Sequence, residues 1–164
     1  MTEREFFLAR WAAEMPMTLS MIQALPDAKL DYRPHEKCRT ARAIVGHLLG
    51  HAEDLNELAE AAGALHHRNE LPFKNIADAV EQMKKSDAVA KASLPKIDES
   101  TWATKNNKFL VGENVAFEAP VGATAWILLL DMIHHRGQLS SYVRPMGGKH
   151  PNLYGPSADS GAQH

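Results

Sequence analysis

The sequence predicts a single all-α domain, a four-helix bundle with a small β-hairpin before its last helix. Four segments repeat apolar residues at helical spacing, and long amphipathic helices share a core most simply as a bundle. The chain has 164 residues, the length of one ordinary domain, so residues 1–164 are expected to fold as one unit. Its 45% of apolar and 23% of charged residues are typical of globular proteins.

The first two helices are expected over residues 2–25 and about 40–65. Pro16 lies within the first helix, where its lack of an N–H predicts a kink or a break. Thr40 is a suitable N-cap for the second helix, because its hydroxyl can accept a hydrogen bond from an amide of the first turn. A polar link over residues 27–37 separates the two helices.

The third and fourth helices are expected over about 75–94 and 123–143. Pro95 ends the third helix, and Pro145 followed by two glycines ends the fourth. The fourth segment is the most apolar of the four. It is therefore expected to be the most buried helix of the bundle.

Two apolar runs between the last two helices, residues 109–111 and 115–117, predict a β-hairpin. They flank Gly112-Glu113-Asn114, which we interpret as a three-residue turn. The tail from residue 147 to residue 164 is rich in Gly, Pro and Ser, and we expect it to be irregular.

Charge and composition argue against several classes of function. Eighteen Lys and Arg against twenty Asp and Glu give a net charge of −2, which is unsuited to a nucleic-acid binder. The longest apolar run is far shorter than the roughly 20 residues of a membrane helix, and no targeting segment is visible. The single Cys38 excludes an internal disulfide. We expect a cytoplasmic protein with no nucleic-acid or membrane partner.

The chain contains nine histidines, and some of them have the spacing of metal ligands. His47 and His51 are four residues apart in the second helix, so they share one helical face. Asp131 and His135 have the same spacing in the fourth helix. Two facing helices that each present such a pair can enclose a divalent ion in the core of a bundle. Neutral imidazoles suit Zn²⁺ or Ni²⁺, and a carboxylate lowers the net charge of the site.

Plainer interpretations of these residues remain open. A histidine pair at this spacing occurs by chance in many helices. Asp131 could pair with an arginine instead of a metal ion. A buried carboxylate without a partner is costly, however, so Asp131 must have one. Three protein ligands would leave one position of an ion open to water or substrate, as catalytic sites do. The pair His66-His67 is interpreted as solvated surface.

The last third of the chain carries a family resemblance. The segment His134-His135-Arg136-Gly137-Gln138-Leu139, followed by Tyr142-Val143-Arg144 and Gly147, resembles the signature of DinB-like proteins, the DNA-damage-inducible proteins of bacteria. Val45-Gly46-His47-Leu48 resembles the first histidine motif of that family, and residues 151–159 are similar to its tail. The resemblance implies a four-helix bundle, often dimeric, with a divalent metal held by three histidines. The wider superfamily includes thiol transferases and a mycothiol-dependent isomerase.

The resemblance also indicates where this chain departs from the family. By position, the first and last family histidines fall on His47 and His135, but the middle one falls on Asp131. Either Asp131 is an oxygen ligand in a site of two histidines and one carboxylate, or His51 is the third ligand. A carboxylate would weaken the Lewis acidity of the metal and would tolerate Fe²⁺ or Mn²⁺ better. Arg136 either holds the fold or the site, or is an exposed charge on the opposite face.

The predicted function is that of a divalent-metal-binding DinB-like protein. Zn²⁺ or Ni²⁺ is expected first, with Fe²⁺ or Mn²⁺ as alternatives. The resemblance implies a metal-dependent thiol transferase or hydrolase that acts on a small electrophile, with a small-molecule thiol as partner and a homodimer as the assembly. The alternative is a metal-binding stress protein or dimeric binding protein without turnover.

Overall fold

The computed structural model describes residues 1–161, and among them the chain forms five α-helices and one three-stranded sheet. The last three residues of the predicted irregular tail lie outside the described residues. In chain order the elements are α1 (Glu3–Gln23), α2 (Ala41–Ala59), β1 (Ala64–His66), α3 (Ile76–Ser93), α4 (Glu99–Thr104), β2 (Asn106–Val111), β3 (Asn114–Pro120) and α5 (Val121–Tyr142).

The core lies between the four long helices. Helices α1 and α2 each pack against both α3 and α5, so every long helix has two long neighbours. Side chains such as Trp11, Leu48 and Met132 are fully buried there. The prediction of a mostly helical fold is confirmed. The predicted number of four helices is not confirmed, because the short α4, whose N-cap is Asp98, is a fifth helix.

The predicted break at Pro16 is wrong. Helix α1 continues through this residue from Glu3 to Gln23. A capping box fixes its start, because the Thr2 hydroxyl accepts from the Glu5 amide and the Glu5 carboxylate accepts from the Thr2 amide. Pro16 is exposed, so only one backbone hydrogen bond is lost, and the burial of Trp11 and Met15 on the other face outweighs that loss.

The second helix is shorter than predicted. It ends at Ala59, and the chain takes positive φ at Ala61 (50°) and at Gly63 (93°). Such a backbone ends a helix and redirects the chain. Residues 64 and 65, expected at the end of the helix, instead belong to β1, which pairs in parallel with β2.

The predicted hairpin is confirmed as β2 and β3, which pair antiparallel with Phe109 stacked on Phe117. The turn differs from the prediction. Val111 pairs with Asn114, so only Gly112 and Glu113 lie in the turn, and Gly112 has φ of 60° as a tight hairpin turn requires. No helix among the described residues is long and apolar enough to cross a membrane.

A buried ion pair joins α1 to α5. Arg136, which is 1% exposed, donates from Nη2 to Glu14 Oε2 at 2.6 Å and from Nη1 to the Glu14 carbonyl oxygen at 3.1 Å. The Tyr154 hydroxyl donates to the same Oε2 at 2.7 Å. The interpretation of Arg136 as an exposed charge is therefore wrong. Burial alone would raise the pKa of Glu14, but the hydrogen bonds from Tyr154 and Arg136 outweigh it and lower the pKa.

We expect the substitution Glu14→Gln to lower the free energy of unfolding by about 3 kcal/mol at neutral pH, because it leaves the Arg136 charge buried without its carboxylate. The folded-state pKa of Glu14 lies below its ordinary value of 4.5, so the stabilisation is complete above that pH and is lost as the pH falls below it. Urea unfolding of both proteins at pH 7 and at pH 3.5 measures this.

The exposed Glu81 of α3 provides the control, and Glu81→Gln should change little at either pH. The free energies of unfolding of wild type and Glu14→Gln should lie closer together at pH 3.5 than at pH 7. An equal difference at both pH values would contradict the stabilising role of the ionised Glu14 carboxylate.

Candidate metal centre

The four side chains predicted as site residues meet between α2 and α5. His47 and His51 project from α2, and Asp131 and His135 project from α5, which packs against it. The three histidines are buried, whereas 39% of the Asp131 side chain is exposed. His47, His51 and Asp131 line a cavity of about 580 Å³. The cluster is therefore built from buried imidazoles behind a carboxylate that reaches open space.

One carboxylate oxygen is the centre of the cluster. Asp131 Oδ2 lies 2.6 Å from His51 Nε2, 3.2 Å from His135 Nε2 and 3.4 Å from His47 Nε2. Hydrogen bonds from His135, His47 and His51 hold the pKa of Asp131 well below its usual value. Asp131 therefore carries a negative charge, and its partners are imidazoles and not an arginine.

The opposite nitrogens of two of these rings are held by carbonyl groups. His47 Nδ1 lies 2.5 Å from the backbone oxygen of Asn69, and His135 Nδ1 lies 2.8 Å from the side-chain oxygen of Gln138. A carbonyl oxygen only accepts hydrogen bonds, so each Nδ1 carries the proton and the Nε2 of the neutral ring presents a lone pair. Metal-binding histidines are oriented by second partners in the same way.

This arrangement attracts positive charge, either as protons on the rings or as an ion between them. With Nδ1 protonated, His47 or His135 can donate from Nε2 to Asp131 only if the ring takes a second proton and becomes positive. Otherwise two nitrogen lone pairs face a carboxylate oxygen across 3.2–3.4 Å, which is repulsive unless an ion lies between them. His47, Asp131 and His135 form a group whose ligand atoms all lie within 4.8 Å of one another. Their chemistry fits a divalent ion.

The fourth residue, His51, has a different environment. Its Nε2 is within hydrogen-bond distance of Asp131 Oδ2, and its Nδ1 lies 3.6 Å from Asp54 Oδ2. Burial alone would lower the pKa of His51, but Asp131 and Asp54 outweigh it and raise the pKa. His51 therefore favours the protonated form that donates to Asp131.

The interpretation of His67 as solvated surface is wrong. His67 lines the cavity, and its Nδ1 lies 2.7 Å from Oδ2 of the fully buried Asp54. Its neighbour His66 is exposed, as expected. The contact was missed because β1 replaces the end of the predicted helix and turns alternate side chains to opposite sides. His51, Asp54 and His67 form a second group that could hold an ion.

This second group already has a positive partner. Asp54 Oδ1 accepts from the backbone amide of Arg68 at 3.0 Å and from its guanidinium at 3.1 Å. A fixed guanidinium charge beside the carboxylate opposes the entry of another cation. Among the described residues no arginine or lysine pairs with Asp131, whose charged and polar neighbours are the three imidazoles.

Two glycines of α2 allow the chain after β1 to approach the helix. A Cβ at Gly50 would lie 2.0 Å from the Arg68 carbonyl oxygen, and one at Gly46 would lie 2.8 Å from the Leu71 carbonyl oxygen. The Leu71 amide donates to the Gly46 carbonyl at 2.9 Å. This close approach brings the Asn69 carbonyl to His47. The glycines precede His47 and His51 at the same four-residue spacing, which is the sequence signal that could have indicated a close backbone neighbour.

These observations define a mostly helical protein with a histidine–carboxylate cluster between two helices, open to a cavity on one side. The sequence model of the DinB family matches residues 1–164, so the chain belongs to the DinB family, and the predicted resemblance is confirmed. A search of the curated proteins finds no match.

Several solved structures share the fold. A DinB-like protein from Bacillus cereus has a TM-score of 0.74 at 19% identity, over 92% of this chain and 97% of that one. A DinB-like protein from Bacillus subtilis has a TM-score of 0.68 at 17% identity, over 91% and 96% of the two chains. A mycothiol-dependent maleylpyruvate isomerase has a TM-score of 0.57 at 12% identity, over 88% of this chain and 61% of that one.

We expect Gly50→Ala to destabilise the protein by about 1–3 kcal/mol, because the new methyl group would overlap the Arg68 carbonyl and force α2 and the following segment apart. Thermal unfolding measures this. Gly137→Ala is the matched control, since a Cβ at this position in α5 meets no atom within 4 Å.

The control should be neutral or more stable by up to about 1 kcal/mol, because alanine is the better helix former. If Gly50→Ala is as stable as Gly137→Ala, the segment after β1 does not depend on the close approach.

Proposed function

We propose that this DinB-family protein binds one divalent ion through His47, Asp131 and His135 and uses it to activate a thiol or water for attack on a small electrophile. The observation that carries the proposal is the convergence of two Nε2 lone pairs and one carboxylate oxygen, each imidazole being held by a carbonyl on its far side. Such a donor set attracts a cation and leaves one side of it open.

The spacing favours Asp131 over His51 as the third ligand. Two ligands bound tetrahedrally to one ion at roughly 2.0–2.1 Å lie about 3.4 Å apart. The distances from Asp131 Oδ2 to His135 Nε2 and His47 Nε2, 3.2 and 3.4 Å, match this separation. The 2.6 Å distance to His51 Nε2 is that of a hydrogen bond. His51 then orients the carboxylate through the contact of its Nε2 with Asp131 Oδ2.

A bound divalent ion supplies a Lewis acid that lowers the pKa of a thiol or a water molecule. The chain supplies the rest: Asn69 and Gln138 hold the two imidazoles, and His51 holds the carboxylate. Zn²⁺ or Ni²⁺ suits the imidazoles, and the carboxylate extends the choice to Fe²⁺ or Mn²⁺.

A small-molecule thiol is the partner that the comparisons support. One structural neighbour is an isomerase that depends on the thiol mycothiol, although at 12% identity the likeness concerns the fold. A screen of low-molecular-weight thiols against small electrophiles, with metal-loaded protein, tests turnover. Activity that is unchanged in His135→Ala would contradict catalysis at this centre.

The second candidate function is that of a metal-binding homodimer without turnover. Exposed apolar side chains on α1 and α5 favour a partner surface: Phe6 is 49% exposed and packs against Trp126, and Leu130 is 58% exposed. A dimer by light scattering, together with no turnover in the screen, would favour this alternative.

We expect His47→Ala and His135→Ala to weaken Zn²⁺ binding by at least about 100-fold, because each removes one of three ligands. Calorimetric titration of metal-free protein measures the affinity. His66→Ala is the matched control, because His66 is exposed and its ring contacts Glu57 outside the cluster, and its affinity should equal that of the wild type. Equal affinity in all of these variants would place the ion elsewhere.

Substitutions of Asp131 test the identity of the third ligand. Asp131→Asn should weaken Zn²⁺ binding by about tenfold or more, because the amide brings no negative charge. Asp131→His, which restores the three-histidine pattern of the family, should keep Zn²⁺ binding and weaken Mn²⁺ binding. The outcome that would contradict the assignment is unchanged Zn²⁺ affinity in Asp131→Asn together with its loss in His51→Ala, which would make His51 the third ligand.

A further inference from the structure

The cavity in front of the cluster has an apolar part and a polar part. Val111 of β2 and Leu130 of α5 line it and are 49% and 58% exposed, and Ile127 lies one turn before Leu130. Exposed apolar side chains grouped around a cavity favour a ligand with an apolar portion. The polar part consists of Arg39 and Asn69 together with the cluster itself.

The guanidinium of Arg39 has N–H groups that no acceptor among the described residues binds. Of the described residues that line the cavity, it alone is an arginine or lysine, and none of the ion pairs formed within residues 1–161 includes it. Its Nη2 donates to the Asn69 side-chain oxygen at 3.1 Å, which uses one of five guanidinium N–H groups. By contrast, Arg68 and Arg136 are paired with carboxylates.

Arg39 is exposed at the cavity and is linked to the cluster by hydrogen bonds through Asn69. The Tyr142 hydroxyl donates to the Arg39 carbonyl oxygen at 3.1 Å, which holds its backbone. Asn69 holds its guanidinium through the side-chain oxygen and holds His47 Nδ1 through the backbone oxygen. Asn69 thus contacts both Arg39 and the proposed metal ligand His47, and all three residues line the same cavity.

A guanidinium with free N–H groups in a fork matches a carboxylate, which it can bind through two parallel hydrogen bonds. The carboxylate of this chain nearest the open cavity, Asp131, is already engaged by three histidines. Arg39 is therefore available to pair with an anionic group of a ligand in the cavity.

We infer that the cavity binds a small molecule that carries a carboxylate, with Arg39 as the partner of that carboxylate and its reactive group directed towards the metal centre. This inference rests on the proposed function and names its substrate class. Both a thiol and an electrophile can carry a carboxylate, so the experiment includes one arm for each.

The test compares acids with their amides by calorimetric titration. The first arm uses 3-mercaptopropionate and 3-mercaptopropionamide with Zn²⁺-loaded protein. The second arm uses crotonate and crotonamide with both the loaded and the metal-free protein. In at least one arm the wild type should bind the acid about tenfold or more tightly than the amide, as a charge-assisted hydrogen bond gives. The arm in which the acid binds more tightly than its amide identifies which reactant, the thiol or the electrophile, carries the carboxylate.

Three variants show whether Arg39 is responsible. Arg39→Gln should remove the discrimination between acid and amide while Zn²⁺ affinity stays that of the wild type, and Arg39→Lys should retain part of it. Arg33→Gln is the matched control, because Arg33 is exposed, contacts only the Glu36 carbonyl oxygen and does not line the cavity. It should behave as the wild type.

The outcomes separate this inference from the proposed function. Zn²⁺-loaded wild type that binds acids and amides equally in both arms would overturn the inference, as would discrimination that persists in Arg39→Gln. Wild type without Zn²⁺ affinity would overturn the proposed metal centre, and the crotonate arm with metal-free protein would still show whether Arg39 selects a carboxylate.

Discussion

Two imidazole nitrogens and one carboxylate oxygen meet between α2 and α5 in an arrangement that attracts positive charge. Because the Asn69 and Gln138 carbonyls keep the protons of His47 and His135 on Nδ1, the Nε2 lone pairs point at the anionic Asp131. Positive charge balances them, either as extra protons on the rings or as a metal ion. The remainder of the site is arranged around these three atoms.

Several contacts of the surrounding fold hold the ligand atoms of the cluster in place. Gly46 and Gly50 let the chain after β1 lie directly on α2, and this contact brings Asn69 to His47 and His67 to Asp54. Farther away, the buried pair of Arg136 and Glu14 holds α5 against α1. Polar groups buried in this way are costly unless each has its partner, so these contacts also fix one arrangement of the helices.

Asp131 is the position at which this chain departs from the three-histidine pattern that the family resemblance implies. An anionic oxygen neutralises part of the charge of a divalent ion and lowers its power to acidify a bound group, but widens the range of metals. His51 acts against the first effect by donating a hydrogen bond to the carboxylate and drawing negative charge away from it. In the proposed metal centre, the pair of Asp131 and His51 would tune the ion in a way that three neutral imidazoles would not.

The sequence by itself determined the features that depend on short spacings along the chain. Helical periodicity predicted the four long helices, and two apolar runs around a turn predicted the hairpin. The four-residue spacings predicted that His47 and His51 share one helix face and that Asp131 and His135 share another, because these patterns arise from the geometry of one helix or strand. Only the tertiary structure decided the pairing of β1 with β2, the burial of Arg136, the contact of His67 with Asp54 and the link from Arg39 through Asn69 to His47. These features join residues far apart in sequence, often through backbone carbonyls, and a carbonyl is the same in every residue and leaves no mark in the sequence.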